Sequence, residues 1–304
     1  MCSKIKWIKE FFKFLGWTNA FALFVVLIIL FGAIFGPPKN PFIQILSDRL
    51  IPPMTQGNSG NFYILGTDSL GRDLFSRVVY GCRVSIIIGV LGVSVALFIG
   101  VPLGLIGGYF GGRWDMVISS LADIQLSIPY LLFAIAIMAS VGTGLFKVIL
   151  VLGVARWATF YRITRGEILS LKNEEYVMAA EAFGANVLRI ISRHLLPNVI
   201  SIVIITTTFG IADTILAEAG LSYLGLGVPS SMPSWGLIVR EGKDYITIAP
   251  WISTFGGLAI MIFVLSINLL GDKLRDFLDP KISRYKIKKQ EEPELVIDIE
   301  KIKG

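Results

Sequence analysis

Few side chains in this 304-residue chain could do chemistry, and their types narrow what that chemistry is. There is one histidine, His194, and there are two cysteines, Cys2 and Cys82. That set supports neither a multi-histidine metal centre nor a disulfide framework, so no metal site is expected. A hydrolase working inside a membrane would need a nucleophile and a base at depth. No serine–lysine or paired-aspartate helix pattern occurs, and a GxxxxGK(S/T) phosphate loop is also missing. No catalytic residue is assigned, and ATP hydrolysis is not expected of this chain.

The remaining candidates are acids among apolar residues and charged clusters between apolar runs. Asp123, Asp213 and Glu218 lie in or beside such runs, where an acid is costly enough to suggest a function. They could line a translocation path or outer vestibule that accepts a ligand's amine or a cation; pairing with another subunit or a backbone group is the alternative. In LGTDSLGRD, residues 65–73, Thr67 or Asp68 can cap a helix and Asp68 and Arg72 form an acid-first i,i+4 pair. A structural role is favoured there, with Asp68, Arg72 and Asp73 as possible contacts for another protein. Trp235 and Arg240, in a second polar segment, carry the same two readings: an interfacial anchor or a protein contact. His194 could switch with pH, but hydrogen bonding in the turn beside Pro197 is the favoured role.

The longest candidate is EYVMAAEAFGANVLRIISRHLLPN, residues 175–198. Glu175 and Tyr176 open a run of helix formers, Ala179 and Ala180 give it a small face, Gly184 allows a tight turn, and Pro197 can start a helix without a lost bond being felt. A short helix, a turn, a second short helix and then an apolar span are predicted. Such a ledge offers side chains to a partner; its chemistry is mechanical.

The elements that must position these residues are membrane helices. Hydrophobic residues make up 54% of the chain and charged residues 16%. Charge-free runs at 14–38, 84–110, 124–146, 195–212 and 245–271 each reach the roughly 20 residues that cross a bilayer. A weaker run, 148–161, carries Arg156 and needs protein neighbours. The runs are continuously apolar rather than alternating, which favours helices over a barrel. The expectation is an all-α membrane protein with six transmembrane helices. Pro129 is read as a kink, and Gly108, Gly111 and Gly112 as close-packing positions.

The formal net charge is +6, and its placement points to topology rather than to nucleic acid. Lys4, Lys6, Lys9 and Lys13 set the N-terminus inside, and six spans return the C-terminus there. Both termini are thus expected in the cytoplasm, in a multi-pass protein of the cell membrane. The segments are a surface segment with the first span, 1–36; an outer loop without regular structure, 37–83; a transmembrane core, 84–280; and a charged tail, 281–304. The first apolar run is too long for a signal-peptide core and is read as a retained anchor.

The 175–198 stretch resembles the EAA loop of ABC-importer permease subunits. Met178-Ala179-Ala180, then Gly184, then His194-Leu195-Leu196-Pro197 follow that pattern, with Met178 in the acidic position and His194 in the apolar one. Both departures are similar to the dipeptide, oligopeptide and nickel branch, whose version runs EYVxAA, Gly, HxLPN. LGTDSLGRD with Ser76-Arg77 and Arg83-Val84-Ser85 resembles the same branch, with Tyr63 where a histidine is usual. So do Tyr161-Arg162 with Arg165-Gly166, LSYLGLGV with Pro233-Ser234-Trp235-Gly236, and Asn268 to Asp272 with Leu278-Asp279-Pro280.

The resemblance implies a membrane subunit of a binding-protein-dependent importer, with an EAA-type coupling loop between helices 4 and 5. Glu175, Tyr176, Ala179, Ala180, Gly184, His194 and Pro197 would form that loop. It also implies a second permease subunit, two ATP-binding subunits that hold ATP and Mg, and an extracytoplasmic binding protein. This chain itself would bind no cofactor. Peptides are the favoured cargo and nickel the alternative; a membrane-embedded enzyme is the rival class.

Overall fold

The computed structural model describes the backbone of residues 2–278 and the side chains of residues 16–278. The expectations for Asp279-Pro280 and the tail 281–304 lie outside the described residues, as do those for the side chains of the 1–13 segment.

Helix α1, Cys2–Phe35, is broken at Gly16 (φ 69°), where the lysine-rich part gives way to the apolar Gly16–Phe35. The segment from Gly36 to Asp73 leads to α2, Leu74–Phe110, whose amide at Ser76 is capped by the Asp73 carboxylate. Asp73, not Thr67 or Asp68, is therefore the cap, and α2 begins ten residues before the charge-free run at 84. After Gly111 come α3, Gly112–Leu126, and α4, Tyr130–Val141, which meet at 84°. The kink expected at Pro129 within the third span, 124–146, is thus an 84° break between two helices. Pro129 lacks an amide hydrogen and disfavours helix at the residue before it, so the ladder stops rather than kinks.

Helix α5 is Leu145–Leu171; α6, Glu175–Ala182, and α7, Val187–Ile190, follow on the polar stretch. A five-residue π turn, Ile191–Leu195, joins α7 to α8, Leu196–Leu224. The second short helix is therefore not separate from the span. The turn that widens ahead of Pro197 lets 187–224 continue through it, a local adjustment often seen where a helix absorbs an irregularity. Helices α9, Trp235–Lys243, and α10, Trp251–Leu278, complete the described residues.

Among the described residues, four helices are long and apolar enough to cross a membrane, or five if the bent α3–α4 pair counts as one span. The remaining expected span lies within α5, which carries Arg156, Arg162 and Arg165. Its neighbour α2 holds it by small residues four apart. A Cβ at Gly100 would lie 2.4 Å from the Trp157 carbonyl oxygen, one at Gly104 2.6 Å from Thr164 Cβ, and one at Gly108 2.8 Å from Ile168 Cβ. Only hydrogen at these positions lets the backbones approach, the usual basis of tight packing between membrane helices. Gly108 has the close-packing role read for it; Gly111 and Gly112 face open space and instead supply the positive-φ turn between α2 and α3.

The segment before α2 is more regular than expected. Strands β1, Thr55–Gln56, and β2, Phe62–Tyr63, form a short antiparallel hairpin. It is pinned on the buried carboxylate of Asp48, which accepts from the Ser59 amide at 2.9 Å, the Tyr63 hydroxyl at 2.7 Å and the Ser59 hydroxyl. Burial pushes the Asp48 carboxyl up, but these donors together outweigh it and hold it below the usual carboxylate range. Turn residues dominate the local sequence, and the ordering comes from this side chain together with Asn58, which donates to the Ser47 carbonyl at 2.6 Å, and Gln56, which donates to the Gly60 carbonyl at 2.9 Å.

Candidate functional site

At the end of the bundle where α2 finishes, α6 and α7 form the predicted ledge. Its bend has a specific cause: the Gly184 amide donates to the Glu181 carbonyl at 2.9 Å, and the Ala185 amide to the Ala180 carbonyl at 3.0 Å. This pair of bonds closes a helix end around a left-handed residue, and Gly184 at φ 76° adopts that conformation without a Cβ penalty. The separation of Ala180 and Gly184 is thus the length of one capping turn. Asn186 then caps α7 by accepting from the Arg189 amide at 2.8 Å.

The underside of the ledge is apolar and closed. Val177, Ile190, Leu195 and Val199 are buried together with Tyr109 of α2 and Ile168 of α5. The upper side is open: Phe183 is 92% exposed and Leu188 75%, with Met178 and Tyr176 beside them. Ala179 is exposed rather than packed, and Ala180 is half-buried. Tyr176 and His194 bring their rings to 6.3 Å, and the Asn198 side chain donates to the His194 carbonyl at 2.7 Å and the Tyr176 hydroxyl at 3.3 Å. Glu175 is exposed in the first turn of α6, and Pro197 is exposed at the start of α8. Phe183 and Leu188 carry no distinctive sequence signal, since an apolar residue in a helix-forming run ordinarily reads as core.

A second group runs along α5. Arg156 Nη2 pairs with Asp213 of α8 at 2.7 Å, Arg162 Nη2 with Asp123 of α3 at 2.6 Å, and Arg165 with Asp115 of α3. Asp123 and Asp213 are exposed, as a path-lining role requires, whereas Glu218 is not. Its carboxylate is fully buried, accepts from the Ser222 hydroxyl at 2.6 Å and lies 3.5 Å from the Ser85 hydroxyl of α2. An outer vestibule does not reach Glu218; it joins α8 to α2.

At the opposite end, the carboxylate of Asp68 accepts from the amides of Leu70 and Arg72, from Arg72 Nε at 2.6 Å and from Arg77 Nη1 at 2.5 Å. Arg72 and Arg77 also reach Glu241 of α9. The Asp68–Arg72 pair forms, but in a turn rather than along a helix. Trp235 is 1% exposed, and its indole donates to the Val78 carbonyl at 3.0 Å. Asp68, Asp73 and Trp235 are therefore turned inward and cannot meet another protein directly; of the five residues considered for that contact, Arg240 is exposed and Arg72 only marginally so. Arg240 lines a cavity of about 660 Å³ with Tyr223, Glu241 and Lys243. Arg77 and Glu241, which complete the cluster, stand far from each other in sequence, so nothing local showed that they meet.

Among the described residues no group of three or more His, Cys, Asp or Glu side chains could hold a metal ion. The ledge, the charged face of α5 and the Asp68 cluster are three separate groups on one helical frame.

Residues 100–284 match the family described as binding-protein-dependent transport system inner membrane component. The dipeptide transport system permease protein of Alkalihalophilus pseudofirmus is 44% identical over 228 residues, covering 75% of this chain and 74% of that protein. The oligopeptide transport system permease protein of Bacillus subtilis is 38% identical, covering 86% and 85%. The glutathione transport system permease protein of Pectobacterium atrosepticum is 39% identical, covering 86% of each. Among solved structures, the MetNI methionine ABC transporter in an inward-facing conformation superposes with a TM-score of 0.55 at 19% identity, over 67% of this chain and 96% of that one. At that identity the likeness concerns the fold.

Proposed function

The chain belongs to the family of binding-protein-dependent transport system inner membrane components, and from that premise we propose that it carries peptides, as one of two permease subunits of an ATP-driven importer. It is a multi-pass membrane protein and a transport subunit rather than an enzyme. The observation that carries the coupling role is the ledge: an exposed apolar upper side at Met178, Phe183 and Leu188 on a capped, rigid bend whose underside is locked to α2, α5 and α8. An exposed apolar patch of this kind, rimmed by polar residues, suits a protein partner. The partner class is the ATP-binding subunits, with a second permease and an extracytoplasmic binding protein completing the assembly; ATP and Mg reside on the ATP-binding subunits.

The mechanism follows from continuity. The ledge enters α8 through the π turn without a break, and α8 carries Asp213 to the cavity beside Arg156. A displacement of the ledge as the ATP-binding pair closes therefore moves one wall of the path as a rigid body, a shift suited to exchanging inward- and outward-open arrangements. In this reading Gly16–Phe35, α2, the α3–α4 pair, α5, α8 and α10 make six crossings, with both termini and the ledge cytoplasmic. The hairpin, Asp68 and the cavity beside Arg240 then face outward, where Arg240 meets the binding protein.

Peptides are favoured over nickel by the relatives, which are dipeptide and oligopeptide permeases and cover most of the chain. The test is reconstitution of the complete complex with its binding protein in proteoliposomes, offered di- to pentapeptides and Ni²⁺ separately. ATP-dependent accumulation of a peptide is expected. Accumulation of Ni²⁺ alone would overturn the peptide reading.

A further inference from the structure

One charged pair lies in a cavity rather than beside one. We propose that Arg156 and Asp213 form an exchangeable recognition site for the charged termini of the transported peptide, Arg156 receiving the α-carboxylate and Asp213 the α-ammonium. The inference rests on the peptide reading above.

The position is the first argument. Arg156 lies roughly 16 Å along α5 from Leu145, and Asp213 roughly 16 Å along α8 from Leu224, at about 1.5 Å per residue. The two helices are antiparallel, so the charges meet at one level, near half the ~30 Å depth of a hydrocarbon core. Ionised side chains at such depth ordinarily face a water-filled cavity or one another, and here they do both. They line a cavity of about 380 Å³ whose other walls include Thr206, Phe209 and Arg275. Arg156 also lines a second cavity of about 150 Å³ at the α3–α4 bend. Its guanidinium thus stands in the wall between two spaces.

The second argument is the asymmetry of the pair. Arg156 is well held: it is 15% exposed, donates through Nη1 to the Gly210 carbonyl at 3.2 Å, and lies 5.1 Å from the centre of the Tyr130 ring. Asp213 is 54% exposed and is held by Arg156 at 2.7 Å. A brace buried for stability would shield both partners. This one leaves the acid in contact with solvent, where a competing ion can reach it, while fixing the guanidinium plane for a carboxylate.

The ligand chemistry follows. A free peptide carries an α-ammonium and an α-carboxylate at neutral pH. Both must be desolvated in the path, and each finds a counter-charge when the Arg156–Asp213 pair opens. No bond is made or broken; one ion pair is exchanged for two. A cavity of this size falls within the range that holds a small ligand.

The test uses the complete complex in nanodiscs, with trialanine, N-acetyl-trialanine and trialanine amide as probes. Asp213→Asn is expected to weaken trialanine binding roughly tenfold to a hundredfold, the scale of one charge-assisted hydrogen bond, and to abolish the preference over the N-acetyl form. Arg156→Gln is expected to abolish the preference over the amide. Retention of both preferences overturns the proposal. A second measurement does not depend on how these variants fold: in a Cys2→Ser background, Thr206→Cys is labelled by a neutral maleimide in the otherwise intact complex. Trialanine should protect that cysteine and N-acetyl-trialanine amide should not; equal labelling with and without trialanine overturns the site. Wild-type proteoliposomes lacking any peptide uptake would instead defeat the peptide reading itself, so the two failures are distinguishable.

Discussion

Arg77 and Asp68 meet at 2.5 Å with each side chain 1% exposed, and the same guanidinium reaches Glu241 of α9. An ion pair so buried is a constraint more than a source of stability: desolvating both charges offsets much of their attraction, but removing one partner strands the other. Asp68→Ala should lower stability by about 3–5 kcal/mol, the usual cost of breaking a buried pair. The midpoint of thermal aggregation of the detergent-purified complex would register it. An unchanged midpoint would mean that Glu241 alone compensates Arg77.

Gly104 predicts the opposite kind of failure, by excess volume. A Cβ there would lie 2.6 Å from Thr164 Cβ and 2.9 Å from the Tyr161 carbonyl oxygen, neither of which is a flexible side-chain end. Gly104→Val should push α5 from α2 and cost about 1–3 kcal/mol or more. Because α5 carries Arg156, uptake should fall even in protein that assembles. Copurification of the partner subunits, compared with uptake per complex, separates the two effects.

The ledge allows a cleaner separation of folding from coupling. Phe183 is 92% exposed, so Phe183→Asp should change the stability of this chain by no more than about 0.5 kcal/mol. Uptake should nevertheless be lost if Phe183 meets the ATP-binding subunit. Gly184→Trp should also abolish uptake while the binding protein still captures ligand, since φ 76° strains any side chain there. Normal uptake in both variants would remove the ledge from the coupling path.

Asp48 makes the β1–β2 hairpin sensitive to acid. Its carboxyl is held below the ordinary value, because the donors from Ser59 and Tyr63 outweigh the opposing effect of burial. A depressed folded-state value contributes stability that is fully present above the unfolded value of about 3.9 and is lost as pH falls through the folded value. Limited proteolysis of the segment between α1 and α2 should therefore rise only below about pH 4. In Asp48→Asn the segment should be cut at neutral pH as well. A wild-type profile in that variant would assign the ordering of the hairpin to other contacts.

Much of the architecture was legible because its causes are local. Long charge-free runs mark α1, α2, α8 and α10 whatever their neighbours are, since a backbone in lipid must satisfy its own hydrogen bonds. The ledge was legible for a similar reason: Ala180 and Gly184 are spaced for one capping turn, and Pro197 tolerates a helix start. The same local reasoning placed a kink at Pro129 but not its size. A proline signals disturbance, but whether the chain bends mildly or turns by 84° depends on what α3 and α4 pack against.

The sequence by itself determined which segments are apolar, where the chain must turn, and which family's motifs lie in order along it. Only the tertiary structure decided which charges distant in sequence meet. Asp213 faces Arg156, Asp123 faces Arg162, and Asp68 lies against Arg77 beside Glu241, across separations in sequence that no periodicity spans. The physical reason is rotational: glycines four apart on α2 allow α5 only one close approach, and that approach sets which way its arginines point. Glu218 followed the same rule to the opposite result, and was turned into the α2–α8 interface instead of the path.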